Sequence, residues 1–220
     1  GDLPFFTGQT AWRALIPDDG KSPVAAQVFM GPGRHLVSYP LRFGLRNLVA
    51  VLERRDWQDE GWSHDDDPEN LRRAFAGFGG PVPDWLSQVT QPKIWGLFRH
   101  EVARVWQDGR HVLIGDAAHS TLPFMAQGAC MAIEDAWLLA AALAQDADQS
   151  AALTRFEALR KPRTTRIVAA ANANARNYHL TGVKRLGAHT LLRTAGRIAP
   201  GRLLSRFDWI YDYDPIAEIT

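Results

Sequence analysis

Asp116 stands at the end of an apolar run, His111–Ile114, that closes in Gly115-Asp116; after a loop containing Pro123, Gly128 and Ala129 open a long apolar stretch. An ionised carboxylate accepts two hydroxyl bonds at once, so an aspartate at a strand end suits a sugar-type chain. The unpaired N–H groups at the start of a following helix attract negative charge. Strand, acidic turn, glycine and helix start, in that order, make a cradle for a ligand that carries hydroxyls and an anionic edge. The alternative for Asp116 is a turn or capping residue, and for Gly128 a plain helix-start glycine.

Other residues invite chemistry with less force. His35 and Tyr39 are four apart in an apolar segment and share one face if it is a strand. They are either core or a ligand-facing pair. His119 with Asp116 offers too few donors for a metal site, and a histidine bonded within its own loop is the expected reading. Glu134 and Asp135 are adjacent on a helix and point about 100° apart, so they do not face one ligand; Glu134 is expected to bond backbone or an arginine. Arg13 either pairs across the sheet surface or reaches a substrate carboxylate. Cys130 is the only cysteine, which excludes an internal disulfide, and its apolar helix predicts a buried, inert thiol.

The elements that must position these groups are legible as patterns. Segments 10–17, 24–30, 34–41, 46–53 and 93–99 read as strands, bounded by Pro, Gly, Asp and Asn, with 35–39 and 45–52 pairing as a hairpin across Arg42-Phe43-Gly44. A largely antiparallel sheet follows. Asp67 caps a predicted helix over 68–78 with Pro68 in its first turn and Leu71, Phe75 and Phe78 on one face; a second short helix follows Pro83. A buried strand at 111–115 leads to a helix over 127–144 that is apolar on nearly every side and so expected to be buried. Helices fill 149–178, with Pro162 bending or interrupting the first, and 182–195. The acidic run 55–69 reads as a solvated loop.

Composition excludes several classes. The 220 residues, 46% hydrophobic, can form a sizeable core. Residues 1–150 carry 13 basic and 19 acidic side chains against 12 and 5 in 151–220. That basic end lacks any nucleic-acid motif and reads as helices docked on an acidic body. With neither signal peptide nor membrane-length apolar run, the cytoplasm is the expected location.

The stretch 111–144, HVLIGDAAHSTLPFMAQGACMAIEDAWLLAAALA, resembles the second flavin-contacting motif of the FAD-dependent aromatic-ring hydroxylases, single-component flavoprotein monooxygenases, in their salicylate hydroxylase-like and 3-hydroxybenzoate 6-hydroxylase-like branch. TGQTAWRALIP, RHLVSYPLR, NLVAVLERRDWQDEGWS, KIWGLFRHE, RFEALRKPRTTRI and the ending DWIYDYD are similar to the same branch. The GxGxxG turn that holds the ADP half of FAD in that family is absent from these residues. The chain therefore resembles the C-terminal part of such an enzyme.

That resemblance implies an α+β fold: an antiparallel substrate domain over 1–100, C-terminal elements of a Rossmann-like FAD-binding domain over 101–145, and a C-terminal helical segment over 146–220. It implies that Asp116, Gly115, Gly128 and Ala129 contact FAD. Pro123 and Phe124 would wall the C4a side of the ring, where a hydroperoxide forms. His35 and Tyr39 would meet substrate, with a His35 titrating near neutrality taking a phenol proton. Gln127 either bonds substrate or peroxide or steadies its loop. The implied activity is hydroxylation of a phenolic or aromatic acid with NADH or NADPH and O2. The implied partners are small molecules, without nucleic acid or membrane, and a homodimer is left open. A chain holding only ribityl and ring contacts is expected to bind FAD weakly or not at all. The alternative function is a non-catalytic remnant that binds a small aromatic ligand or a partner protein.

Overall fold

A computed structural model of the chain describes residues 3–20, 24–56, 61, 64–199, 201–202 and 205–219. It divides into two compact units. The sheet unit comprises Phe5–Phe98 with Asn177–Gly182; the helical unit comprises Gly1–Pro4, Arg99–Arg176 and Val183–Thr220. The stretches 101–145 and 146–220, expected separately, lie together in the helical unit apart from 177–182.

In the sheet unit the strands are β1 (Phe5–Pro17), β2 (Gln27–Gly31), β3 (Arg34–Leu41), β4 (Leu45–Glu53), β5 (His64–Asp65) and β6 (Lys93–Arg99), in the order β2-β3-β4-β1-β6-β5. The β1–β4, β2–β3, β3–β4 and β5–β6 pairings are antiparallel. The hairpin register places His35 opposite Val51 and Tyr39 opposite Asn47. Its turn holds Phe43 and Gly44 at positive φ, 65° each; the glycine adopts this without cost and Phe43, lying in solvent, carries the strain.

Alternation then sorts the side chains. Trp12, Ala14, Ile16, Leu36, Leu48 and Ala50 project to one face and pack with Leu71 and Phe75 of α1 (Pro68–Phe75) and with Val82 and Leu86 of α2 (Val82–Ser87). Asp67 caps α1 by accepting the Glu69 N–H at 2.9 Å. Within the acidic run 55–69, residues 57–60 and 62–63 lie outside the described residues. The remainder includes strand β5 and the start of α1, so it is not wholly loop.

The helical unit contains the small ribbon β7 (Gln107–Asp108) and β8 (His111–Val112), then α3 (Asp116–His119), α4 (Gly128–Gln145), α5 (Gln149–Tyr178), α6 (Gly182–Ile198) and α7 (Asp208–Tyr211). α5 continues through Pro162 as one helix. Among the described residues no helix is long and apolar enough to cross a membrane.

Three burial expectations change here. The predicted strand 111–115 is reduced to two residues, with His111, Leu113 and Ile114 exposed and only Gly115 buried. α4 buries one stripe, Met131, Asp135, Leu138 and Ala142, and exposes Ile133 (70%) and Trp137 (48%). Cys130 is exposed. The shared reason is that an apolar run records a capacity for burial, whereas burial also needs a facing element, and the described residues supply one along a single side of α4.

Candidate functional site

The helical unit holds the acidic turn. Gly115 sits at φ 58°, ψ −141°, a conformation that a Cβ disfavours, and a Cβ built there would come within 3.2 Å of Ala132 on α4. Its N–H donates to Asp135 Oδ2 at 2.9 Å. The turn is thereby pinned to the second turn of α4, which fixes where the next residue emerges. That residue, Asp116, is exposed.

Asp135 is the centre of this arrangement. The same Oδ2 accepts from His119 Nε2 at 2.6 Å, and Oδ1 accepts from Arg160 Nε at 2.7 Å. All three side chains are buried. Burial opposes ionisation of Asp135, but the bonds from His119, Gly115 and Arg160 outweigh it and hold the carboxyl below its ordinary range. Arg160 Nη1 also meets Glu134 Oε2 at 2.8 Å, and Glu134 binds Arg163 through both oxygens. The adjacent carboxylates thus do share a partner: the long guanidinium fork reaches both, which their divergent directions alone did not suggest. His119 is bonded to α4 rather than within its loop, and its ring lies 5.3 Å from that of Trp106. Among the described residues no group of His, Cys, Asp and Glu could hold a metal ion.

Pro123, exposed, begins a short 3-10 turn, and the next two residues, Phe124 and Met125, are buried. Asn174 Nδ2 donates to Met125 Sδ at 2.6 Å, which ties this turn to α5. Ala126 follows in the left-handed region at φ 53°, a strain that fixes the direction of the chain into α4. Gln127 is buried and is the residue before α4; no side chain caps that helix. The first helical bond is Met131 N–H to Gln127 O at 2.8 Å, so the Gly128 and Ala129 amides face outward along the axis as donors. A Cβ on Gly128 would make only an ordinary 3.5 Å contact with Thr121.

In the sheet unit, His35 and Tyr39 lie on the sheet face away from α1 and α2. His35 is buried and Tyr39 half-buried. Arg13, which the sequence left between a sheet-surface pair and a substrate contact, bonds Asn47 Oδ1 through Nε at 3.0 Å. His35 Nδ1 lies 2.7 Å from His179 Nε2, and His179 Nδ1 lies 3.0 Å from Glu53 Oε1. The Tyr178 ring is 5.1 Å from that of His35. Burial, helped by the charge His179 can carry, pushes His35 down to about 3. His179 is also lowered, by burial against the pull of Glu53. The expectation that His35 titrates near neutrality is therefore corrected: an imidazole removed from water resists charging.

A consequence for stability follows. In the unfolded chain both rings take up protons near the ordinary imidazole value of about 6.5, whereas the folded chain resists uptake, for His35 down to about 3. Between those values the unfolded state binds more protons. The contribution is complete above about pH 6.5 and is lost as pH falls. The urea midpoint is expected to drop between pH 7 and pH 4.5, and to drop less in His35→Phe; equal pH dependence in the two proteins would contradict it.

The profile of a family described as an FAD binding domain matches residues 22–171. The chain belongs to that FAD-binding family. It is 35% identical to a 3-amino-4-hydroxybenzoate 2-monooxygenase of Streptomyces platensis and 37% identical to a 3-hydroxybenzoate 6-hydroxylase of Klebsiella oxytoca, in each case over 97% of this chain and 54% of the relative. It thus spans about half the length of these curated relatives. A salicylate hydroxylase in a substrate complex superposes with a TM-score of 0.81 at 25% identity, covering 100% of this chain and 57% of that one. HpxO of Klebsiella pneumoniae with FAD and uric acid gives 0.78 at 27%, covering 91% and 53%.

FAD is the cofactor of this family of flavoprotein monooxygenases, and the residues present fit part of it. An exposed carboxylate on an anchored turn suits ribityl hydroxyls. An uncapped helix start with a glycine at its first position suits an electron-rich ring edge. Sequence reasoning missed Asp135 as the anchor, and His179 and Glu53 altogether. The acidic pair Glu134-Asp135 inside an otherwise apolar helix was the one available signal for Asp135.

Proposed function

We propose that this chain forms the substrate-facing sheet and part of the flavin cradle of a monooxygenase that hydroxylates a phenolic or other aromatic acid, using NADH or NADPH and O2. The observation that carries the reading is the Asp135-anchored turn presenting Asp116 in the same unit as the uncapped start of α4. Asp116 accepts hydroxyl bonds from the ribityl chain, Gly115 lets the turn approach, and the Gly128 and Ala129 amides donate to the ring edge. When bound, the flavin supplies the electron transfer and oxygen activation. Pro123 and Phe124 keep water from the reacting side, which limits wasteful peroxide release. In the sheet unit His35 and Tyr39 meet the aromatic acid, and His35 takes its phenolic proton; in the helical unit Gln127 steadies the loop before α4.

The direct test is substrate-dependent oxidation of NADH or NADPH by the flavin-loaded protein across a panel of hydroxybenzoates and aminobenzoates. Oxidation with no member of the panel would overturn the reading. Asp116→Ala removes bonds from hydroxyls to a charged acceptor, each worth roughly 1.5–3 kcal/mol. The flavin dissociation constant is expected to rise by at least about tenfold, read from quenching of flavin fluorescence; an unchanged constant would remove Asp116 from the site.

A second reading draws on the exposed apolar side of α4 around Ile133 and Trp137: a non-catalytic chain that binds a small aromatic ligand or a partner protein. Colour separates the two, since protein that takes up FAD and turns yellow favours the enzyme and protein that stays colourless with added FAD favours the remnant.

A further inference from the structure

Two buried histidines and an exposed carboxylate in the sheet unit form a chain of which the reading above uses only His35. Glu53, at the end of β4, has its side chain 54% exposed, while the His179 side chain is 1% exposed. His35 is likewise buried. The backbone braces the same corner: Gly33 N–H donates to His179 O at 3.3 Å and Glu53 N–H to Gly33 O at 2.9 Å. The contacts therefore run from water inward, Glu53 to His179 to His35.

We propose that Glu53 and His179 are positioning residues for His35, which keep a lone pair on its Nε2 and draw off the charge when that nitrogen takes a proton. The inference rests on His35 meeting a phenol, as proposed above.

The proton count follows from the atoms. A carboxylate only accepts, so neutral His179 carries its proton on Nδ1 and donates it to Glu53. His179 Nε2 is then an acceptor, and the facing His35 Nδ1 must be the donor at 2.7 Å. That leaves the lone pair of neutral His35 on Nε2. Which ring nitrogen bears the proton is set by the bond the other makes.

When Nε2 accepts a phenolic proton, the Nδ1 proton of His35 passes to His179 Nε2. His35 is again neutral, the substrate is a phenolate, and His179 is an imidazolium paired with the Glu53 carboxylate. Return of the two protons resets the chain. The charge then rests on His179, where the Glu53 carboxylate opposes the burial that lowers both rings. Within the unit the Tyr178 ring packs against His35 and Glu53 faces His179, with Tyr39 further along the His35 face.

Imidazole 15N spectra of the unmodified, flavin-loaded protein at pH 7.5 test this without relying on turnover. Protonated Nδ1 with bare Nε2 is expected on both His35 and His179. A proton on Nε2 of His35 would overturn the proposal even if hydroxylation is intact. In His179→Phe and Glu53→Gln, the His35 signals are expected to shift toward the Nε2-protonated form. The kcat for hydroxylation is expected to fall about 10- to 100-fold with KM changed less than threefold, a range typical of residues that orient a functional ligand. Unchanged kcat in both variants would also overturn it. Should the tautomers be as described while no aromatic acid is turned over, the positioning of His35 stands and the hydroxylase reading falls.

Discussion

Asp135→Ala is expected to destabilise the helical unit by about 3–5 kcal/mol, the cost of leaving a buried ionic partner uncompensated. Asp135 is fully buried and satisfies the Gly115 N–H, His119 Nε2 and Arg160 Nε. Its removal leaves two buried donors without acceptors and a guanidinium held by Glu134 alone among carboxylates. Asp135→Asn keeps the shape but turns one acceptor into a donor that faces donors, so it should be nearly as costly. The measurement is urea unfolding followed by tryptophan fluorescence, with Trp106 beside His119 as a local reporter. A loss under about 1 kcal/mol would mean the network adds little beyond hydrophobic replacement, an outcome known for some buried ion pairs. Flavin affinity should fall in the same variants, because the turn that presents Asp116 loses its anchor.

The parts of this protein that were legible in its sequence are those specified by near neighbours. The β3–β4 hairpin follows from alternating apolar residues on either side of Arg42-Phe43-Gly44, and its observed register pairs Leu41 with Leu45. The start of α1 follows from Asp67-Pro68, since the cap and the N1 proline act within one turn. The anchor at Asp135 was illegible because its partners lie 16, 20 and 25 residues away, on other elements. His179 is 144 residues from His35, and no local pattern marks it: it follows the last residue of α5 and reads as an ordinary helix-end histidine. The burial of Cys130 and of residues 111–114 was misjudged for a different reason. Hydropathy reports what a side chain prefers, and only the fold says whether a second surface meets it.

The largest effect on activity is expected at His35. His35→Gln keeps a polar side chain of similar reach but cannot take up a proton, so kcat should fall by about 10²–10⁴, the usual contribution of a positioned acid–base group. His35→Ala should do the same and should leave a cavity against Tyr178 and His179. Tyr39→Phe removes one hydroxyl on the same face and should cost less, roughly tenfold, consistent with one hydrogen bond worth about 1.4 kcal/mol in the transition state. The difference between the two positions carries the argument, since only His35 is coupled to a second imidazole and through it to a carboxylate. Rapid-reaction measurement of the hydroxylation step in flavin-loaded protein would separate these effects from binding. If His35→Gln hydroxylates within threefold of the unaltered protein, the phenolic proton leaves by another route and His35 is part of the core of the sheet unit.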